Sequence, residues 1–234
     1  MNINVSKLLQ TALILVCFLG FTAAQYSANA EWNPFKGVPD NALRDYYAAD
    51  DLFKAGYYER ALARINKFSD KYPDNLAGRM LKSWTLLKLD RMDEAKALID
   101  SVLEKDPKHL DALVATGVYY RKLGDIQKAM EQYERVLEID PNDPYALSSV
   151  VTVAILNCEI DKAVDYGERG AKGAPEDAVI NANLAVAYHF DGQLDKRDEY
   201  TAIAKKLNYP SIPDLMDIYS GELLLLPDDC DPNE

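Results

Sequence analysis

Pro73, Pro107, Pro141 and Pro175 stand 34 residues apart, and one further step reaches Tyr209 with Pro210 beside it. Two other columns keep the same register: Ala61, Ala95, Ala129 and Ala163, and Gly56, Asp90, Gly124 and Cys158. A period held this strictly restricts the chain to stacked repeats, because one such unit cannot bury its apolar face without copies on either side. The most regular copy is Leu110 to Asp143. Leu113, Gly117 and Tyr120 recur at helical spacing in its first half and Ala129, Tyr133 and Val136 in its second, with Leu123-Gly124-Asp125 as the turn between them. Each unit is therefore a helical hairpin closed by its proline.

The columns have physical reasons. Each proline follows a second helix that its ring cannot extend, and it biases the residue before it, Asp106 or Asp140, towards an extended conformation. The alanines face Ala49, Ser83 and Gly117 where the two helices of a hairpin cross closely. A larger side chain there overpacks the crossing, at a typical cost of about 1 to 3 kcal/mol. Ile65, Ile99 and Tyr133, with Phe68, Val102 and Val136, are the expected core between consecutive hairpins.

A helix-turn-helix unit of 34 residues with G-Y-Y-E-R-A at Gly56 to Ala61, D-R-M-D-E-A at Asp90 to Ala95 and G-D-I-Q-K-A at Gly124 to Ala129 resembles the tetratricopeptide repeat (TPR) family. The resemblance covers about Ala42 to Ser211 and implies an all-α fold, a right-handed superhelical solenoid of about five hairpins. The repeats are 42–75, 76–109, 110–143, 144–177 and 178–211. Ser211 to Gly221 places Leu215, Met216, Ile218 and Tyr219 at helical spacing and reads as a capping helix (212–221) over the last repeat, followed by an acidic tail, 222–234.

Two repeats depart from the pattern. Gly167 and Gly170 occupy the bulky columns of the fourth, and a glycine inside a helix costs about 1 kcal/mol relative to alanine. Either a neighbouring side chain fills the space over Gly167 or the array bends there. In the fifth, Arg197 and Thr201 replace the small and bulky residues, as suits a terminal unit.

The resemblance further implies that the first helices line a concave face used for peptide binding. That face reads Leu43, Tyr46, Asp50 and Phe53 in the first repeat, then Ala77, Met80, Trp84 and Leu87, then Asp111, Val114, Val118 and Arg121. The last two repeats contribute Tyr145, Ser148, Thr152 and Ile155, then Val179, Ala182, Val186 and His189. The face is mainly apolar, richest in aromatics over the first two repeats, and an exposed apolar stripe of this length marks a partner. The expected partner-binding residues are Tyr46, Asp50, Phe53, Met80, Trp84, Leu87, Val114, Val118, Arg121 and Thr152, with Trp84 and Tyr46 of the type that makes hot spots. TPR co-chaperones that hold a C-terminal carboxylate use a lysine and asparagine clamp; here the corresponding places carry Tyr46, Asp50, Leu81 and Ala115, so that mode is excluded. Lys54, Lys88 and Lys122 repeat at 34-residue spacing along the edge and read as solvated. The face is also within reach of the chain's own ends, Glu31 to Phe35 or Leu223 to Leu226.

Residues 1–30 are a separate object. One basic residue, Lys7, precedes the apolar run Ala12 to Phe21 and the small-residue site Ala28-Asn29-Ala30, the pattern of a secretory signal peptide cleaved after Ala30 or after Ala24. The run is too short for the roughly 20 residues of a spanning helix, and Val16 before Cys17 argues against lipidation. An uncleaved anchor is the alternative. The chain is acidic, with a formal net charge of −12, and the signal segment contains no acid. This balance disfavours nucleic acid and anionic lipid. Residues 31–41 form a short extended lead-in. Cys158 and Cys230 remain in a chain expected to leave the reducing cytosol, and either they pair or both stay as thiols.

Catalysis has no visible support. His109 and His189 are far apart and read as surface residues, and neither a nucleophile motif nor a Gly-rich phosphate loop is present. No cofactor, metal or small-molecule substrate is expected. The sequence therefore predicts a non-enzymatic, exported scaffold of the periplasm or another secretory compartment. It would hold an apolar segment of a protein or peptide partner, or serve as a structural subunit whose groove its own termini fill.

Overall fold

The structure, a computed structural model, describes residues 34–223 together with Leu226 and Cys230. The expected signal segment, Glu31 to Asn33 and most of the acidic tail lie outside these residues. Among the described residues there are eleven α-helices and no strand, and no helix is long and apolar enough to cross a membrane. The chain forms two compact units, parted at Tyr119 and Tyr120.

The first unit holds α1 (Asp40–Lys54), α2 (Tyr58–Lys71), α3 (Leu76–Lys88), α4 (Met92–Leu103) and the start of α5 (Leu110–Lys122). Helix α1 packs on α2, α3 on α4, and α2 on α3. The small residues Ala49, Ala61, Ser83 and Ala95 are fully enclosed, as are Ile65, Phe68, Ile99 and Val102. Phe68 of α2 lies over Gly78 of α3, where a Cβ would come within 2.7 Å of the ring. The missing side chain lets two hairpins close around an aromatic.

The second unit holds the end of α5, then α6 (Ile126–Ile139), α7 (Pro144–Leu156), α8 (Ile160–Gly173), α9 (Ala178–Phe190), α10 (Leu194–Lys206) and α11 (Ile212–Ser220). Here the question posed by Gly167 and Gly170 is answered. Leu184 fills the space over Gly167 and Ile180 the space over Gly170, each so close that an added Cβ would sit 2.8 and 2.6 Å away. Helix α11 packs on α9 and buries Leu215 and Ile218, while Met216, expected to pack, is exposed. Tyr219 receives the departures of the last repeat: Arg197 lies 5.0 Å over its ring and the Thr201 hydroxyl is 2.9 Å from its own.

One turn recurs in every hairpin. Gly56, Asp90, Gly124, Cys158 and Gly192 all have φ between 57° and 81°, and the next residue donates its N–H back into the last turn of the helix, as in Tyr57 to Leu52 and Glu159 to Ala154. This is the glycine-type helix stop. Asp90 and Cys158 adopt it despite a Cβ, at a cost of about 1 to 2 kcal/mol each. Asp140, before Pro141, is extended as the ring demands (φ −128°, ψ 95°). Asn75, Asp125, Asp143 and Asp177 cap the helices they precede with their side chains.

Candidate functional site

Eight of the ten residues expected on the recognition face belong to α1, α3 and the start of α5 in the first unit. Helix α1 contacts α3, and the Trp84 indole N–H of α3 donates to the Asp111 carboxylate of α5 at 2.7 Å. Asp50 is held by Lys54 at 2.5 Å on its own helix. The Tyr46 hydroxyl is pushed well above the ordinary phenol range, first by burial and then by the negative charges of Asp50 and Asp111. Tyr46, Asp50, Trp84 and Asp111 thus form one aromatic and acidic cluster.

This face is not the open stripe that the spacing suggests. Tyr46, Met80, Leu87, Val114 and Val118 are buried, and Asp50, Phe53 and Trp84 are half-buried. Tyr46 lies between Phe35 and Phe68, with ring centres 4.7 and 5.5 Å away. Phe53 turns back towards its own hairpin and meets Tyr58 at 5.5 Å. Lys54 is exposed, as the sequence suggests, and also pairs with Asp50 of its own helix.

Arg121 and Thr152 lie in the second unit and are also buried. The Thr152 hydroxyl donates to the Ser148 carbonyl at 3.2 Å and accepts from the Asn183 amide at 3.2 Å, while that amide also reaches the Ser148 hydroxyl at 2.8 Å. These three residues tie α7 to α9, so the polarity of Thr152 is used within the unit. Asn183, one step off the columns used to read the face, was missed by the sequence reading.

The histidines are not the surface residues that the sequence suggested. His109 is buried, and its Nδ1 accepts from Ala112 N at 3.3 Å at the start of α5; burial lowers its proton affinity. His189 stacks on Tyr219 at 4.9 Å, and burial, with Arg197 nearby, lowers its affinity likewise. Both are structural contacts.

Cys158 and Cys230 are joined by a disulfide, their Cα atoms 5.7 Å apart. At Cys230 the tail is tied to the turn between α7 and α8, so of the two outcomes open in the sequence the pairing is the one found. Among the described residues, no group of three His, Cys, Asp or Glu is placed to hold a metal.

These hairpins, each burying its neighbour's face, define a helical-repeat protein of the scaffold class. Residues 43–155 match the family described as Psidin, N-terminal TPR repeats region. Over those residues the chain is built of tetratricopeptide repeats, a type of repeat that binds other proteins or peptides. No curated protein matches the chain.

Solved structures similar to the chain share its fold. TTC0263, a thermophilic TPR protein of Thermus thermophilus, is 20% identical over 79% of this chain and 100% of its own, with a TM-score of 0.68. MamA of Desulfovibrio magneticus RS-1 is 17% identical over 73% of this chain and 97% of its own, at 0.55. YrrB, a TPR protein with an unusual peptide-binding site, is 18% identical over 79% of this chain and 95% of its own, at 0.50.

Proposed function

We propose that the chain is a non-enzymatic scaffold exported from the cytoplasm, holding an apolar segment of a protein partner against α1, α3 and α5. The observation that carries this reading is the cluster of Tyr46, Asp50, Trp84 and Asp111 on these helices, in which the half-buried indole is fixed by a carboxylate. A tryptophan held in one orientation loses little entropy when a partner covers it, and residues of this type dominate binding energies. Met80, Leu87, Val114 and Val118 are buried and belong to the packing that holds these helices in place. Recognition by such a face uses an extended or helical segment with apolar side chains at regular spacing. Export is supported by the signal pattern of residues 1–30 and by the Cys158–Cys230 disulfide, a bond that persists in oxidising compartments.

The test is photo-crosslinking in the native cell from position 77, in the same column as Leu43 and Asp111 on this face, followed by mass spectrometry. The expected result is one partner protein, its adduct lost in the Trp84→Ala, Tyr46→Ala variant while circular dichroism shows unchanged helix content. An adduct that survives both substitutions overturns the assignment.

A further inference from the structure

The first residues described, Pro34 to Pro39, are built into the α1–α3 face. Val38 N donates to the Phe35 carbonyl at 2.9 Å, closing a turn whose third residue, Gly37, has φ +81°. Only a glycine takes that conformation without penalty. The turn sets the Phe35 ring edge-on to Tyr46 at 4.7 Å, with Tyr47 at 6.0 Å.

The carbonyl of Pro34 accepts the Asn75 side-chain amide at 2.6 Å, while the oxygen of that same amide caps α3 through Gly78 N at 2.8 Å. One side chain therefore starts the helix that carries Trp84 and holds the chain that precedes α1. Tyr46 is a member of the recognition cluster, so Phe35 already occupies one end of that face.

We infer that the lead-in at Pro34 and Phe35 is an internal occupant of the recognition face, which a partner must displace. Phe35 is its anchor. This rests on the reading of α1, α3 and α5 as a recognition surface and names what competes for it. The partner's competing segment then has the same chemistry: an aromatic side chain for Tyr46 and an extended backbone whose carbonyl takes the Asn75 amide.

The test uses the mature chain and a labelled nonapeptide, EWNPFKGVP, copying residues 31–39. Covalent attachment gives the internal copy a millimolar effective concentration, which excludes a micromolar peptide from the unaltered chain. The Phe35→Ala chain is expected to bind the peptide at least about tenfold tighter than the unaltered chain does, and to lose it again when Tyr46→Ala is added. Asn75→Ser, which keeps a helix-capping oxygen and loses the amide, is expected to act in the same direction. Equal binding to the altered and unaltered chains, binding to neither, or binding that survives Tyr46→Ala overturns the inference. Should that occur while position 77 still captures a partner through Trp84, the recognition reading stands and only self-occupation falls.

Discussion

The two units solve the same packing problem in opposite ways. In the first, the second helix of a hairpin carries the bulk and the next first helix the glycine, with Phe68 over Gly78; in the second, α8 carries Gly167 and Gly170, and α9 supplies Leu184 and Ile180. The consequence reaches the inner face. The aromatics of the first unit run as a chain from Phe35 through Tyr46 and Phe68 to Tyr72, so its core and its recognition cluster share a side chain. The second unit has small and polar residues in the equivalent places and ties them to one another through Asn183. It is closed by a disulfide instead. On the proposed reading, equal repeats leave one region for recognition and the other for bracing.

The sharpest way to break this contrast is to empty each core. Phe68→Ala should cost about 3 to 5 kcal/mol and Leu184→Ala about 2 to 5 kcal/mol, but only the first should disturb the recognition cluster. Urea titration gives the size, and hydrogen exchange gives the location. Loss of protection in α3 from Leu184→Ala would remove the distinction.

Next comes the disulfide. It closes a separation of 72 residues, for which the chain-entropy treatment gives roughly 4 kcal/mol. Cys158→Ser with Cys230→Ser should therefore speed exchange across α7 to α11 and leave α1 to α4 unchanged. Uniform acceleration would show that the bond does not act on one unit.

A smaller effect follows from the glycines. Gly170→Ala gains about 1 kcal/mol of helix propensity and loses about 1 to 3 kcal/mol to the collision with Ile180. The net should be mildly destabilising and should be recovered by adding Ile180→Val. Gly78→Ala should behave alike, with Phe68→Leu as its remedy. Failure of either rescue would mean that the glycine is required for its backbone.

The smallest effect is electrostatic. Burial raises the proton affinity of Asp143, the cap of α7, against the opposing help of its bond from Ala146. The folded chain therefore binds that proton more tightly than the unfolded chain. Stability from this group falls as pH rises from its unfolded pKa through its folded one. Asp143→Asn should flatten that segment of the stability profile, and an unchanged slope would assign it elsewhere.

Much of this was legible in the sequence, because a strict period writes the fold many times over. The proline, alanine and turn columns predicted the hairpins, and Pro141 predicted the extended Asp140. The residues expected on the inner face do lie on the first helices of their hairpins, but not as the open stripe that the spacing suggests. Columns report which way a side chain points from its helix, and Tyr46 is covered by Phe35, a residue outside the repeat. His109 was misread because its role as a cap depends on one backbone N–H that no periodicity marks. The outcome at Gly167 was open for a related reason: whether Leu184 fills a gap depends on the next hairpin's rotamers, which spacing alone does not set.

The central claim is that recognition belongs to the first unit. Positions 77 and 179 stand in the same column, one in each unit, so a photo-crosslinker at either tests it under one geometry in the native cell. A partner captured from 77 and not from 179 is the predicted result. Capture from 179 alone would contradict the account.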